Sequence, residues 1–476
     1  MISLRASRNW WILVTVGIGT LLSSMTNSIT NTVLPVIAKD LGISLETSSW
    51  VSMVYLLVLI VLLLPVGRLC DLIGRHVLMI AGFVLFGLSS AAAALSRDLT
   101  WLLVARGVSA ASGALLLATG PAVLSTAFPL EQRGQALGWQ ALITYFGLAV
   151  GPILGGWLAQ WARWPAVFWV AVPISLLGML LAIMWIPRRN PTGLLTFDTR
   201  GTVTFMVGMV ALTLLLNPSA YPHQVILGMV ILGIIVVGST GLFVRRQWKF
   251  PDPLIDLRLF RSRNFSYGTI AAIINYLCFF VGLFLLPFYL NRELGWSSGH
   301  VGLLLTLMPA LMMIIAPWAG RVSDSWGSRE LSTAGMLANA LGLSFFGAAE
   351  IWKSMGLELF IAGAVFMGAG TGLFAAPNNA AIMKAAPMSR QGVASGTLAT
   401  ARYVGMIAGI TLGSSVLHLF QSLNMARAHP FMTASLWVWA TGAVLGVVGC
   451  IVTLSMERGA VRMKEDHRHH PVFPEL

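Results

Sequence analysis

The chain has 476 residues, of which 57% are apolar and only 10% are charged, and its mean hydropathy is +0.81. A water-soluble chain carries about a quarter charged residues, so this composition excludes a soluble protein and predicts one that is surrounded by lipid. The net charge of +13 comes from short clusters of Lys and Arg between apolar runs, without the continuous stripe that nucleic-acid binding requires.

Fourteen apolar segments follow one another along the chain, each long enough for a helix that crosses the hydrocarbon layer. The first begins after Arg8 and continues to about Ala38, which is too long for a cleaved signal peptide, so we expect it to be the first span. The sequence therefore predicts an all-α polytopic membrane protein. The fourteen predicted spans are residues 10–37, 48–67, 76–96, 99–127, 135–160, 165–187, 199–217, 222–245, 264–291, 298–319, 330–352, 356–384, 392–419 and 431–456.

The Lys and Arg residues are distributed unevenly over the connections between these spans. With the N-terminus inside, 22 of the 30 lie in inner segments, 6 lie in outer segments, and 2, Arg106 and Arg402, lie within spans. This excess predicts that both termini and the longest connection, residues 246–264, are cytoplasmic. The outer connections are short and leave no room for an extracellular catalytic or receptor domain.

A short pattern of Gly, Arg and Asp follows the second span and recurs after the tenth, 253 residues later. Tight inner turns favour glycine and arginine, but neither the turn nor the topology requires an aspartate at a fixed position. The repeated aspartate therefore predicts an internal duplication. The first copy contains Gly67, Arg68, Asp71, Gly74 and Arg75, and the second contains Gly320, Arg321, Asp324 and Gly327.

The fifth and thirteenth spans carry glycine at every fourth position, and these two series are 258 residues apart. Glycines with this spacing share one face of a helix and allow the backbone of another helix to approach closely. Generic helix packing would also explain them. The two series are Gly147, Gly151 and Gly155 in the fifth span and Gly405, Gly409 and Gly413 in the thirteenth.

These offsets predict two six-span halves separated by two inserted spans. We expect an N-terminal bundle over residues 1–187, two inserted spans and a linker over 188–263, a C-terminal bundle over 264–456 and a cytoplasmic tail over 457–476. Parallel repeats with a substrate site between them are typical of membrane transporters, which favours transport as the function.

Polar residues deep in the spans are the candidates for a substrate site. A charge within a span costs about 2.5 to 3.5 kcal/mol on insertion scales, so we expect Arg106 and Arg402 to face a polar cavity, with snorkelling to the outer surface as the alternative for Arg106. None of the 17 acidic residues lies in the middle of a span, and Glu350 and Glu358 come nearest, at outer ends. The candidate cavity residues are Thr26, Asn27, Asn31, Arg106, Asn275, Tyr276, Arg402 and Tyr403.

Three of these patterns resemble motifs of the major facilitator superfamily. The repeated Gly-Arg-x-x-Asp loop resembles its motif A, Arg106 with Gly107 and Gly113 resembles motif B, and the glycine series of the fifth span resembles motif C of its antiporters. The resemblance implies that Asp71 closes the cytoplasmic side of a cavity, by facing a helix N-terminus or an arginine. The residues that carry the motif C resemblance are Gly147, Gly151, Pro152, Gly155 and Gly156.

The two inserted spans, with Phe197-Asp198 before the seventh, Arg261 to Phe265 before the ninth and Pro377-Asn378-Asn379 in the twelfth, are similar to the fourteen-span drug/proton antiporters of that superfamily. The resemblance covers nearly the whole chain. It implies a bacterial inner-membrane exporter of small amphipathic molecules that works by alternating access, with protons as a coupling partner, as a monomer and without a cofactor.

The first span departs from that subfamily at one position. Members usually carry an aspartate there, and Thr26 occupies its place in this chain. At about 1.5 Å per residue, Thr26 lies some 24 Å from the inner start of its span and Arg106 about 10 Å from the outer start of its own. Both then lie at similar depth in a core about 30 Å thick. Without the aspartate, an anion or lipid-like substrate that is not coupled to protons in the usual way is the alternative.

Two other classes of protein fit the sequence less well. An intramembrane enzyme needs titratable or metal-binding groups at one depth, and the deep polar residues include neither a nucleophile with its base nor a metal set. A sensor would normally add a soluble domain. Cys70, Cys278 and Cys450 are far apart and are interpreted as packing residues, and the histidines at 467, 469 and 470 as part of a solvated tail rather than a metal site.

Overall fold

The computed structural model describes residues 2–188, 198–216, 225–250, 253–387, 390–422 and 430–457. Within these ranges the protein is built from α-helices, with short turns and two 3-10 segments between them. The α-helices are α1 Ile2–Leu41, α2 Leu45–Ile73, α3 Arg75–Ala94, α4 Leu99–Ala127, α5 Leu130–Ala162, α6 Ala166–Trp169, α7 Ala171–Trp185, α8 Thr199–Leu216, α9 Val225–Lys249, α10 Arg263–Arg292, α11 Ser298–Trp326, α12 Ser328–Ile351, α13 Gly356–Ala385, α14 Gln391–Ser422 and α15 Pro430–Leu454.

Each predicted span coincides with one of these helices, except that the sixth is divided into α6 and α7 at Val170. Pro173 has no backbone N–H to donate to the carbonyl of Trp169, which explains why regular helix is interrupted there. The two pieces together form one apolar segment, Ala166–Trp185, of 20 residues. The tail that contains the histidines lies outside the described residues.

Twelve segments of the described chain are long and apolar enough to cross a membrane. Of the other two predicted spans, the seventh is present as a shorter apolar helix, Thr199–Leu215. The thirteenth is α14, which has 32 residues but carries polar side chains such as Thr397, Thr400 and Arg402 along its length. These side chains lower its hydropathy, and two of them, Thr397 and Thr400, are buried against other helices and not exposed to lipid.

The helices of the N-terminal part pack around α1, which contacts α2, α4, α5 and α7, while α3 packs against α4 and α7. The C-terminal part has the same plan around α10, which contacts α13, α14 and α15, while α12 packs against α13 and α15. The parts are joined mainly by α5 with α11 and by α2 with α14, and less extensively by α1 with α10 and α11. One continuous apolar core extends through both parts and includes Tyr55 of α2 and Tyr276 of α10.

The inserted helices α8 and α9 pack against each other and, through α8, against α2 and α14. A small apolar cluster of Leu64, Phe205, Phe243 and Leu254 joins them to α2 and to the linker that follows. Of the most apolar stretch of α9 only 11% is buried within the protein, against 78% for α1 and for α10. The inserted pair is therefore peripheral, and α9 presents most of its surface to its surroundings.

Candidate functional site

A seam of glycines holds α5 against α1. A Cβ added at Gly147 would overlap Ser24 Oγ, and one at Gly151 would overlap Ser28 Oγ and the backbone of α1. A Cβ at Gly155 would meet the Ile29 carbonyl oxygen. The three glycines therefore place two helix backbones in direct contact, a distance that a side chain would not allow.

The second series of glycines makes the equivalent contact in the C-terminal part. A Cβ at Gly405 would overlap the carbonyl of Ile273, and one at Gly409 would overlap the carbonyl of Leu277. Gly413 faces the ring of Phe284. The thirteenth span thus packs on α10 as the fifth packs on α1, in register with the 258-residue offset of the sequence.

The neighbouring Gly156 faces a different helix from Gly155. A Cβ at Gly156 would overlap the Ser298 carbonyl at the start of α11, and one at Gly302 would overlap the Pro152 carbonyl. Thr306 Oγ1 also donates to the Ala149 carbonyl at 3.0 Å. The motif C segment therefore contacts both α1 and α11, one helix in each part of the protein.

The two motif A loops have matching backbone geometry. Gly74 has φ 105° and ψ 131°, Gly327 has φ 98° and ψ 144°, and each glycine both ends one helix and starts the next. These positive φ values favour glycine. Gly67 has no atom near its Cβ direction, Gly320 approaches Ala376 and Arg321 is exposed. Arg75 donates to the Ala122 carbonyl of α4 at 2.7 Å, whereas the side chains of Arg68, Asp71 and Asp324 lie outside the described part of the chain.

The candidate residues of α1 are all buried. Ser52 Oγ donates to Asn31 Oδ1 at 2.6 Å, and Thr30 Oγ1 donates to the carbonyl of Thr26 at 2.7 Å. Asn27 Oδ1 and Asn31 Nδ2 are buried without a hydrogen-bond partner among the described residues. Interior amide groups nearly always have a partner, so these two have capacity for water or for a bound molecule.

Arg106 of α4 is completely buried. Its Nε donates to the carbonyl of Val51 at 3.1 Å, and its guanidinium lies 4.3 Å from the centre of the Tyr55 ring and 6.0 Å from that of Phe168. Both terminal nitrogens lack a hydrogen-bond partner in the described structure. The side chain is therefore a buried cation held by a carbonyl and aromatic rings, with two donors directed at no protein acceptor.

Arg402 of α14 is half-buried and has a polar partner. Its Nη2 donates to Asn379 Oδ1 of α13 at 2.6 Å, and its guanidinium lies 5.7 Å from the centre of the Tyr276 ring of α10. Tyr145 of α5 interacts electrostatically with both Arg402 and Tyr276. Side chains of α10 and α13 therefore contact this arginine of α14, and Tyr145 of α5 lies within electrostatic range.

Tyr403 of α14 lies within electrostatic range of a tyrosine beside each arginine. Tyr403 interacts electrostatically with Tyr55, which lies beneath Arg106, and with Tyr276, which lies beneath Arg402. Six of the predicted cavity residues thus fall into two groups, one on α1 and α4 and the other on α10 and α14. Asn275 is different: it is buried and its Nδ2 lies 3.4 Å from Met336 Sδ on α12, away from Arg402. The eighth residue, Thr26, has no described contact with Arg106.

The acidic residues that lie nearest the middle of a span do not neutralise these arginines. Glu350 is buried, but it accepts a hydrogen bond from Trp439 Nε1 at 2.7 Å, between α12 and α15. Glu358 is exposed at the start of α13. Among the residues that the structure describes, no carboxylate forms an ion pair with Arg106 or Arg402.

Sequence reasoning missed three members of this site, Tyr55, Tyr145 and Asn379. Each tyrosine is a single polar group in an apolar span, which is a weak signal because tyrosine is also a common packing residue. The Asn378-Asn379 pair was a stronger signal, since two adjacent amides within a span need polar partners. Asn379 accepts from Arg402, and Asn378 donates to the Gly268 carbonyl at 3.0 Å.

The two helical parts are packed in the same way and contact each other, and buried polar groups lie near this contact. This arrangement defines a polytopic membrane transporter. The sequence profile of the Major Facilitator Superfamily matches residues 16–246 and 268–473 of the chain. The protein belongs to that superfamily.

Individual relatives are similar over most of the chain. The riboflavin transporter RibZ of Clostridioides difficile is 30% identical over 459 residues, which are 95% of this chain and 98% of that protein. The tetracenomycin C resistance and export protein of Streptomyces glaucescens is 28% identical over 89% of this chain and 78% of its own. A crystal structure of a POT family transporter has the same fold, with a TM-score of 0.70 and 14% identity over 92% of this chain and 94% of its own.

Proposed function

We propose that this transporter exports small amphipathic molecules that are neutral or anionic. The observation that carries the proposal is the pair of arginines, Arg106 and Arg402, each of which packs on a tyrosine ring and has no described carboxylate partner. An uncompensated guanidinium in a medium of low dielectric constant attracts anions and repels cations strongly. The tyrosine rings add apolar faces on which an aromatic substrate can stack.

The orientation in this proposal comes from the distribution of Lys and Arg. Both termini face the cytoplasm of a bacterial cell, fourteen helices span the inner membrane, and two six-helix bundles, residues 1–187 and 264–456, flank the inserted pair. Under this orientation the contact between α5 and α11 is at the outer side. A reporter fused after Glu457, or placed within residues 246–264, should be cytoplasmic. An external signal from either fusion would contradict the orientation or the count.

The transport cycle in this proposal is alternating access, with the two motif A loops controlling the cytoplasmic side. Asp71 stabilises the state that is closed there. Thr26 cannot bind and release a proton as a carboxylate does, so transport is not coupled to protons through the first span. Glu350, which is hydrogen bonded to Trp439 behind the site, is not proposed as a substitute.

A second candidate is the transport of riboflavin or a similar flavin. The relative named as a riboflavin transporter matches 95% of this chain at 30% identity. A flavin is a planar aromatic molecule with a polar chain, and stacking on tyrosine with hydrogen bonds to amides and arginine suits its chemistry. This candidate lies within the neutral class proposed above and specifies one chemical group within it.

The test is transport by the purified protein in liposomes, with a panel of anionic, neutral and cationic amphiphiles that includes riboflavin. Each compound is measured in both directions, with and without an imposed pH gradient, for the wild type and for Thr26→Asp. We expect the wild type to prefer neutral or anionic compounds, and Thr26→Asp to improve transport of a lipophilic cation in the presence of the gradient. Strong proton-driven export of the cation by the wild type, unchanged by Thr26→Asp, would contradict the proposal.

A further inference from the structure

A groove lies between the inserted helices α8 and α9, at the end where α8 begins and α9 ends. Its volume is about 740 Å³, and its lining includes Arg200 at the start of α8 and Arg245, Arg246 and Lys249 at the end of α9. Four basic side chains therefore surround one opening, and its lining includes none of the residues around Arg106 and Arg402.

Only one of the four cations is neutralised in the described structure. Arg246 Nε donates to Asp198 Oδ1, and the same carboxylate accepts from Gly201 N at 2.9 Å and from Gln247 Nε2 at 3.2 Å. Asp198 is buried and its acceptor capacity is used by these donors. Arg200, Arg245 and Lys249 are exposed and have no acidic partner among the described residues. Within the described part of the chain, the groove therefore has three basic side chains without an acidic partner.

The groove also has an apolar side, which continues onto the outer surface of α9. Val203 and Leu242 line it and are 52% and 60% exposed. Beyond them, α9 exposes further aliphatic side chains, such as Ile234 at 67%, and Gly238 and Gly241 have no atom near their Cβ directions. A strip of exposed aliphatic residues and glycines, the apolar channel, therefore extends from the basic groove along α9.

This arrangement matches the two parts of a phospholipid. A phosphate diester fits among guanidinium and ammonium groups, and an acyl chain fits along exposed aliphatic residues and glycines. A soluble anion lacks an acyl chain and would make no contact with the apolar channel. The predicted topology places the groove at the cytoplasmic leaflet, where anionic lipids are concentrated and basic pockets between helices bind their headgroups.

We propose that the groove between α8 and α9 binds an anionic phospholipid, with the headgroup phosphate among Arg200, Arg245 and Lys249 and an acyl chain along α9. The bound lipid would fill the contact between the inserted pair and the membrane. Arg246 has a different role, because its partner Asp198 fixes the start of α8 against the end of α9.

The test compares three forms of the full-length protein in lipid nanodiscs and by native mass spectrometry. The first is the wild type, the second carries Arg200→Gln, Arg245→Gln and Lys249→Gln, and the third is a control that removes three other exposed inner arginines. The control substitutions are Arg261→Gln, Arg263→Gln and Arg321→Gln. Folding of each form is checked by its melting temperature in phosphatidylcholine.

We expect the wild type and the control to retain phosphatidylglycerol in preference to phosphatidylcholine. The groove variant should retain it at least about tenfold more weakly, since each basic residue near an anionic surface contributes about 1 kcal/mol. Gly238→Leu, which fills the channel without changing charge, should also weaken retention. Equal losses in the groove variant and the control would overturn the proposal, because the binding would then reflect total charge.

Inorganic phosphate serves as the second arm of the experiment. If the site is a lipid site, excess phosphate should not displace phosphatidylglycerol or raise the melting temperature of the protein. Displacement of the lipid by phosphate at comparable concentration would overturn the proposal and assign the groove to a soluble anion. If the groove variant no longer folds in phosphatidylcholine, Gly238→Leu replaces it in the experiment. Unchanged retention of phosphatidylglycerol by Gly238→Leu would also contradict the proposal.

Discussion

The two repeated parts of this transporter agree in their backbones and differ in their charged side chains. Gly151 and Gly409 make the same close contact with α1 and α10, and Gly74 and Gly327 adopt nearly the same turn. Arg106, by contrast, is fully buried with two unpartnered nitrogens, whereas the other deep arginine is half-buried and bonded to an amide. The two parts thus share the packing that supports two similar bundles and differ in the polar residues within it.

The largest expected effect comes from breaking the packing that the repeats share. Gly151→Ala and Gly409→Ala should each destabilise the protein by about 1 to 3 kcal/mol, because the added Cβ meets backbone atoms of the facing helix. Gly138→Ala, on the exposed side of α5 with no atom near its Cβ direction, is the matched control. It should be neutral or stabilise by up to about 1 kcal/mol. Thermal unfolding in detergent measures all three, and equal melting temperatures would contradict the seam.

The next effect concerns Arg402, the half-buried arginine of the candidate site. Arg402→Gln should lower kcat/KM for an anionic amphiphile by about ten- to a hundredfold, the equivalent of one charged hydrogen bond of 1.5 to 3 kcal/mol. A neutral substrate of similar shape should be affected less. The control is Arg163→Gln, which should transport normally. It removes an exposed arginine directly after α5, whose Nη2 lies 3.2 Å from Asp40 Oδ1. Equal losses for both substrates would show that Arg402 acts on structure only.

A smaller effect is expected at the motif A loops. Asp71→Asn should slow transport by about five- to thirtyfold while leaving the melting temperature unchanged, because losing a contact of about 1 to 2 kcal/mol shifts the balance between two states by that factor. The same substitution at Asp324 measures whether the second loop shares the role. Normal production of Asp71→Asn together with a wild-type transport rate would make Asp71 an ordinary loop residue.

The smallest effect is expected at Glu350. Glu350→Gln keeps an oxygen that can accept from Trp439 and removes a charge that no described cation neutralises, so stability should change by less than about 0.5 kcal/mol. Transport should respond to a pH gradient as the wild type does. Glu350→Ala is the comparison and should cost about 1 to 3 kcal/mol, because it leaves the buried indole N–H without an acceptor. A selective loss of the gradient response in Glu350→Gln would make this residue a proton carrier.

The sequence predicted the helices well. In lipid the backbone N–H and C=O groups of a span must form their hydrogen bonds within the span, so a span can be recognised from its own residues. The break between α6 and α7 was not predicted, since a proline interrupts many spans without dividing them. The glycine series predicted which face of α5 is packed, but the identity of each partner helix depends on residues that are distant in sequence.

The candidate site was predicted only in part. A charged side chain within a span carries a free-energy cost of insertion, so Arg106 and Arg402 could be identified as candidates from the sequence. Their neighbours were harder to predict because aromatic and amide side chains also occur in ordinary packing. Asn275 and Tyr276 are adjacent in sequence, yet Asn275 contacts α12 and Tyr276 lies under Arg402. Adjacent residues of a helix point in different directions, and which neighbour each one meets depends on how α10 is oriented in the bundle, not on residue type.

The close contact of Gly156 with the start of α11 has a consequence for how this protein can evolve. Two backbones meet there without side chains, so neither Gly156 nor Gly302 can acquire even a methyl group unless the partner helix moves. The tyrosines and amides around the arginines are under no such steric restriction. Lineages with different cargoes are therefore expected to inherit the glycine contact unchanged while the residues around it diverge.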